Sequence, residues 1–588
     1  MNTYPQTHWN LADLFPAPDS PELQAALDEM ENVTVEIENV RPLLTDDMSA
    51  PIFLEIVAKL DRLKYLAIKL DGYAYLFFSE DNTNQAAVGL TARVKEVVAR
   101  SSNRVLFFDL WWKTLEDHSA NRLMDTAGIF CYWLESMRRL KQHTLTEPEE
   151  KIINIKNVTG SSTLIKLYST MSNQYTYKFR VDGEEKVLTR GEIMNYMRDK
   201  DPELRAASYQ VHYGEFAKNG LILGQIYQTL ACDWRNEHVQ LRKHPRPISV
   251  RNRVNDIPDE VVDTLLAVAR KNTPVFQRYF RLKAKRLGMD RLCRYDLLAP
   301  ITQCGKTYTF EEASGIVLDS FRQFDPHFGE LAERVYQEKH LDAEIRSSKS
   351  YLPFCYNAAH KTTPYININF QGRVVDVSTM QHELGHAIHS MLAVNVPTLM
   401  AYPCLPLAET ASTFSEMILV DYLLAHETDA DARRDLLFGQ VDHNYTAIQR
   451  QAFTAMFECR AHEMVHEGAS VDQMADAYLE GLKTQFGDSM DVSDEFRWEW
   501  VAYPHIYEWP FYVYAYSFGQ LLVLALYQQY KLEGEAFKPK YFQMLSAGGS
   551  ESPMALLEKL GIDPRQASFW QSGYDVIDQM ITKLESVA

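Results

Sequence analysis

Apolar residues recur at three- and four-residue intervals along most of this chain, so the places where that period stops are informative. Ser20 and Pro21 carry N-cap and N1 chemistry, and Leu23, Ala26, Leu27 and Met30 follow at helical spacing. From Ile52 to about Leu115 the pattern remains helical, interrupted near Asp81 to Thr83, and predicts a helical lobe. Its aromatic residues Tyr65, Tyr73, Tyr75, Phe77 and Phe78 fall at mixed spacing and read as core. The period changes at Tyr175 to Leu188, where alternating residues flank Asp182 and Gly183 and predict a β-hairpin. Thr189 and Glu192 then have capping-box spacing and open a new helix. A boundary here divides the chain into an N-terminal helical lobe, residues 1–190, ending in the hairpin, and a second domain, residues 191–588. From 200 to about 345 the helical pattern resumes, punctuated at Pro247, Pro258, Pro274 and Gly288, with no low-complexity linker or internal repeat.

Between Tyr351 and Phe370 the reading turns extended. Tyr365, Asn367 and Asn369 alternate with Ile366, Ile368 and Phe370 as in a half-exposed strand. Such a strand could pair with an extended peptide through main-chain hydrogen bonds, which makes Tyr365, Asn367 and Asn369 candidate substrate contacts; the other reading is a structural hairpin in a small sheet. The next stretch, D-V-S-T-M-Q-H-E-L-G-H-A-I-H-S from Asp376 to Ser390, is helical by its apolar stripe Ala387, Ile388, Met391 and Leu392. Ser378 and Gln381 have the spacing of a capping box at its start.

On that helix His382 and His386 lie one turn apart, about 6 Å along the axis, where two imidazoles can reach one metal ion. Glu383 sits beside them, placed to act as a general base without being a ligand. A helix beginning at Pro406 offers Glu409, 23 residues after His386, as a third ligand. Glu416, on the same face, can accept the remaining N–H of a ligating imidazole. Two imidazoles and a carboxylate suit zinc, one ion per chain, better than calcium or magnesium. The metzincin pattern is excluded because it needs glycine at 389, which is histidine here. Further on, ten of the 21 residues from Trp498 to Phe518 are Trp, Tyr or Phe, more than an amphipathic helix needs. Pro510 is expected to start a helix with Tyr512 and Tyr516 on one face and Tyr514 on another, and His505 to lie in the loop just before. Imidazole and phenol donors there could stabilise the oxyanion of a tetrahedral intermediate.

With 588 residues the chain exceeds one simple core, so two or more lobes are expected. A formal charge of −19 and the lack of a long basic run argue against nucleic acid and anionic membrane as partners. There is no signal-like start and no long uncharged apolar run, and the seven cysteines are scattered without a C-x-x-C, so the expected compartment is the cytoplasm.

The run T-P-Y-I-N-I-N-F-Q-G-R-V-V-D-V-S-T-M-Q-H-E-L-G-H-A-I-H-S, the following A-E-T-A-S-T-F-S-E and the late H-I-Y-E-W-P-F-Y-V-Y-A-Y-S-F-G resemble the thimet-oligopeptidase family of zinc metallopeptidases, and most closely its oligoendopeptidase F branch. W-N-L-A-D-L-F near the start, R-L-G-M-D-R-L-C-R-Y-D and S-A-G-G-S-E-S-P-M-A-L-L-E-K-L-G-I-D extend the likeness over nearly the whole chain. The resemblance implies a mainly α, multi-helical, two-lobed fold with a deep substrate channel and a small β-sheet beside the zinc-binding helix. It implies a zinc endopeptidase for short unfolded oligopeptides, with Zn held by His382, His386 and Glu409 and with Glu383 as base. His505 and a tyrosine would bind the oxyanion. The spacing of the tyrosines departs from the family form, so Tyr512 and Tyr516 are the first choices, and Tyr507 and Tyr514 remain as alternatives and candidate substrate contacts. A carboxypeptidase or a non-catalytic peptide-binding protein on the same scaffold stays open, as does the choice between monomer and homodimer.

Overall fold

A computed structural model describes residues 4, 6–181, 183–301 and 306–586. The fold is mainly α, 72% helical with only small sheets. Two compact units form, each from three pieces of chain. The first gathers Met1–Lys141, Gly305–His426 and Gln529–Ile562, and the second Gln142–Cys304, Glu427–Gln528 and Asp563–Ala588.

In the first unit, Ser20 caps the helix Pro21–Asn39 by accepting the Leu23 N–H at 3.2 Å, and Leu23, Ala26, Leu27 and Met30 form its buried face. The long helices Ala50–Glu80 and Gln85–Thr114 are separated where expected, with Asp81 accepting the Thr83 amide and Asn84 capping the second helix. Tyr73 is core, Tyr65 and Phe77 pack against that core, and Tyr75 meets Phe354 and Tyr356 at ring distances of 5.2 and 5.0 Å. These last two belong to a three-stranded sheet in which Tyr365–Asn367 is the central strand, parallel to Leu341–Asp342 and antiparallel to Phe354–Tyr356. Buried Asp342 pairs with buried Lys349 at 2.8 Å, and the Lys349 ammonium also donates to the carbonyls of Asp342, Glu344 and Ile368, which pins the connecting segment to the sheet.

In the second unit, the hairpin Tyr177–Val181 and Glu184–Leu188 is antiparallel; Asp182 of the expected turn lies outside the described residues. Thr189 and Glu192 form the expected capping box. The expected division at 190 does not follow the compact grouping. Tyr177, Phe179, Val181, Leu188 and Ile193 share one core with Tyr196, Leu204 and Val211, so the hairpin is packed on the helices that follow it. A change of period marks a change of local structure, whereas a unit assembled from separate segments is defined by contacts distant in sequence.

The helix Val374–Leu392 starts a turn before Ser378, because Asp376 and not Ser378 does the capping. One Asp376 carboxylate oxygen accepts the amides of Gln371 and Arg373, both at 2.9 Å. This helix lies against Thr410–His426 at Gly385, where an added Cβ would meet Ser412 Cα at 2.6 Å and the Ala411 carbonyl oxygen at 2.9 Å. Backbone touches backbone there, and only glycine permits it. Gly385→Ala measures this constraint. Helix propensity alone would stabilise the variant by about 1 kcal/mol, but a clash with main-chain atoms costs about 1–3 kcal/mol. A lowered Tm is therefore expected, and a raised one would show that the two helices can separate without penalty.

Candidate metal centre

Because those helices touch, their polar faces meet beside the contact. His382 and His386 present their rings 4.9 Å apart on the first helix. Glu409 stands at the start of the second, after a short turn Leu405–Ala408, with its carbonyl accepting the Thr413 amide at 3.1 Å. One oxygen of Glu409 is 3.4 Å from Nε2 of His382 and 3.3 Å from Nε2 of His386, and the three ligand atoms lie within 4.8 Å of one another. Glu416 faces the other side of the first imidazole, 2.6 Å from Nδ1 of His382. An Nδ1–H donated to Glu416 leaves the Nε2 lone pair directed at Glu409, the tautomer that a metal ligand requires.

Two imidazoles gathered with the Glu409 and Glu416 carboxylates make a donor set that calls for a cation. The hydrogen bonds of Glu409 and Glu416 outweigh burial and hold the His382 imidazole well above its ordinary range. Glu409 is held well below the ordinary carboxylate range, again against burial, by His382 and His386. Two nitrogens and one oxygen converging in this way fit Zn²⁺.

Glu383 projects from the same helix into the same cleft, and burial raises its carboxyl pKa against the pull of both imidazoles. The cleft has a volume of about 400 Å³ and is lined by His382, Glu383, His386, Glu409, Cys355 and Tyr402, among others. His389, the next turn on, is buried and pushed down to about 4 by burial, so it is a neutral wall residue. Burial pushes the Cys355 thiol well up, with Glu383 adding to the effect, which leaves it uncharged.

The strand expected to meet a substrate is not the one with an open edge. Tyr365–Asn367 is paired on both sides; Tyr365 is buried with its hydroxyl on the Asn10 carbonyl at 3.1 Å, and buried Asn367 donates to the carbonyls of Ser350 and Leu352. Asn369 likewise donates to Ser350 and Tyr351. Of the two outer strands, Phe354–Tyr356 is the one at the cleft, which Phe354 and Cys355 line beside Asn357. The Asn357 carbonyl accepts the Tyr402 hydroxyl at 2.9 Å. These residues stood within the segment read as extended, but an apolar L-P-F-C-Y run does not show which strand will be outermost.

The aromatic segment belongs to the second unit. Pro510 does not start a helix: with Phe511 it forms the corner of a turn closed by the Tyr512 amide on the Trp509 carbonyl at 3.1 Å, and the helix begins at Tyr514. Phe511 takes φ 58°, an uncommon conformation for a bulky residue, and its amide donates to buried Glu458 at 2.8 Å. His505 lies on a short helix, Pro504–Glu508, and not in a loop. Its ring is 6.1 Å from Tyr512 and 6.2 Å from Tyr516, which are 5.3 Å from each other, and all three are half-buried. Burial lowers the pKa of His505, so its ring is a neutral donor near pH 7. Tyr507 and Tyr514 face the core: Tyr507 stacks on Tyr168 at 3.8 Å and donates to the Leu223 carbonyl, while the Tyr514 hydroxyl accepts from Asn255 at 2.9 Å.

The Oligopeptidase PepF of Bacillus subtilis (strain 168) is 25% identical over 98% of this chain and 87% of its own length. A Chlamydophila abortus crystal structure shares the fold with a TM-score of 0.88 at 22% identity, covering all of both chains. The oligoendopeptidase-F of Enterococcus faecium shares it at a TM-score of 0.72 and 21% identity, over 97% of this chain and 99% of that one. A model of "Oligopeptidase F" matches residues 111–177, and one of "Peptidase family M3" matches residues 195–576, a span that contains both helices of the candidate centre. That match takes in more than half of the sequence, and the chain belongs to peptidase family M3.

Proposed function

We propose that this chain is a zinc-dependent endopeptidase that hydrolyses internal bonds of short, unfolded oligopeptides. The observation that carries the reading is the convergence of His382, His386 and Glu409 on one point with Glu383 in the same cleft. His382, His386 and Glu409 would hold one zinc ion per chain, with Glu416 orienting His382. Zinc, when bound, polarises a carbonyl and brings the pKa of water toward about 7. Glu383 takes the proton from the attacking water and delivers it to the leaving amine, a task suited to a carboxyl whose pKa burial has raised. The outer edge of Phe354–Tyr356 offers main-chain groups to an extended peptide, a mode of recognition that tolerates varied side chains. Among the aromatic residues, His505, Tyr512 and Tyr516 are the proposed oxyanion donors, because they cluster half-buried while Tyr507 and Tyr514 are committed to the core. Among the described residues no helix is long and apolar enough to cross a membrane, and we place the activity in the cytoplasm.

An internally quenched peptide with both termini blocked is expected to be cleaved, with loss of cleavage on chelation and recovery with zinc. Cleavage only of peptides with a free C-terminus would indicate a carboxypeptidase, and binding without cleavage a peptide-binding protein. Glu383→Gln is expected to keep zinc and peptide affinity while losing most turnover, whereas Glu409→Ala loses zinc. Elemental analysis beside kinetics separates the two, and equal zinc loss in both variants would refute the assigned roles. For the aromatic cluster, His505→Ala or Tyr516→Phe is expected to lower kcat by about 100-fold or more with little change in KM. Tyr514→Phe should instead lower stability by about 1 kcal/mol and spare kcat. A kinetic defect confined to Tyr514→Phe would refute the assignment.

A further inference from the structure

The second unit holds a charged cluster for which peptide hydrolysis supplies no role. Arg294 and Glu499 are buried, with exposures of 2% and 0%, and the guanidinium donates to Glu499 Oε1 at 2.8 Å. The same oxygen accepts from Tyr213 and from a second guanidinium, that of Arg450, both at 3.2 Å. Two arginines thus share one carboxylate, which leaves one positive charge in excess. Tyr445 and Tyr478 lie beside them. The Arg294 face lies over Phe486 and Phe496 at 5.6 and 5.1 Å, contacts that satisfy part of the charge but none of its N–H groups.

A cavity of about 20 Å³ adjoins this cluster, lined by Arg294, Arg450, Tyr445, Tyr478, Gln485 and Phe457, among others. Its volume suits one water-sized or slightly larger sphere. The lining is rich in hydrogen-bond donors. Nε and Nη1 of Arg294, Nε of Arg450, Nε2 of Gln485 and the Tyr445 hydroxyl have no hydrogen-bond partner among the described residues. Glu499 Oε2 is the one acceptor of the ion cluster in that condition. Tyr445 is also the first residue of a π-helical turn, Tyr445–Gln449, a local widening that recurs at binding sites. Water donates as much as it accepts, so it matches this surplus of donors poorly. An anion only accepts, and it also neutralises the excess charge.

We propose that this cavity binds one small monovalent anion of the halide class, held by Arg294 and Arg450 with Tyr445 and Gln485 as neutral donors. Arg450 keeps 27% of its side chain exposed and so provides the side from which the ion enters. The anion joins the helix that carries Tyr445 and Arg450 to the strand-and-turn segment carrying Arg294, and acts as a structural counter-ion for the second unit.

The full-length protein is melted in sodium chloride, sodium bromide and sodium gluconate at one constant ionic strength, and crystals are grown in bromide for anomalous scattering. Chloride and bromide should raise Tm by about 3–5 °C over gluconate, saturating at millimolar concentration, and a single bromide peak should lie between Arg294 and Arg450. Gln485→Glu supplies a carboxylate to the same guanidinium groups and should abolish both the halide response and the bromide peak. Tyr445→Phe, which removes one donor and little volume, should raise the half-saturating halide concentration about tenfold, and it keeps the test valid if Gln485→Glu does not fold. Equal Tm in halide and gluconate, no bromide peak in the cavity, or a Tyr445→Phe protein with an unchanged halide response would overturn the proposal and leave the cavity as a site for water.

Discussion

The approach of two helices at Gly385 is the constraint on which the candidate centre depends. At that residue the Val374–Leu392 helix lies against the main chain of Thr410–His426, nearer than any side chain would allow. Everything polar at the site follows from this distance. Glu409 reaches the Nε2 atoms of both histidines and Glu416 reaches Nδ1 of His382, and a displacement of 1 Å between the helices would break hydrogen-bond range at each contact. Glycine is a poor helix former, and its place in the middle of H-E-L-G-H is explained by this packing and not by the local helix.

The two units solve the problem of buried charge in different ways. Asp342 is compensated by Lys349 and Arg346, and its lysine is further bound by three carbonyl groups, so that pair is closed. At the candidate centre the balance tips toward negative charge once the imidazoles are neutral, since the Glu409 and Glu416 carboxylates crowd them. At Arg294, Arg450 and Glu499 the imbalance has the opposite sign. Where the charges in a protein interior do not cancel, the remainder points to what else binds there.

The juxtaposition of His382 and His386 was legible because their spacing coincides with the helical repeat, and the position of Glu409 because an acidic residue opened the next helical pattern. Capping signals were legible at Ser20 and Thr189, where the chemistry is confined to four residues. Ser378 misled because Asp376, two residues earlier, competes for the same role and reaches back to two amides. Pro510 misled because its fixed φ serves a turn corner as well as a helix start, and the choice is made by Glu458, more than fifty residues away in sequence, holding the amide of Phe511. The outer strand at Phe354–Tyr356 and the division of the chain into units escaped for a related reason. Both are decided by pairings between distant segments, which leave no periodic trace in either partner.

Each unit is completed by a piece from late in the chain. The unit containing the ligand helices takes in Gln529–Ile562, where the Tyr541 hydroxyl donates to the Thr410 carbonyl at 3.1 Å and its ring packs on Phe414 at 4.6 Å. During synthesis, the helix that carries Glu409 therefore leaves the ribosome well before the residues that brace it. A ribosome-bound chain, or one cut short before that segment, leaves the apolar back of the two helices of the candidate centre exposed, and exposed apolar surface of this kind favours aggregation over a working site.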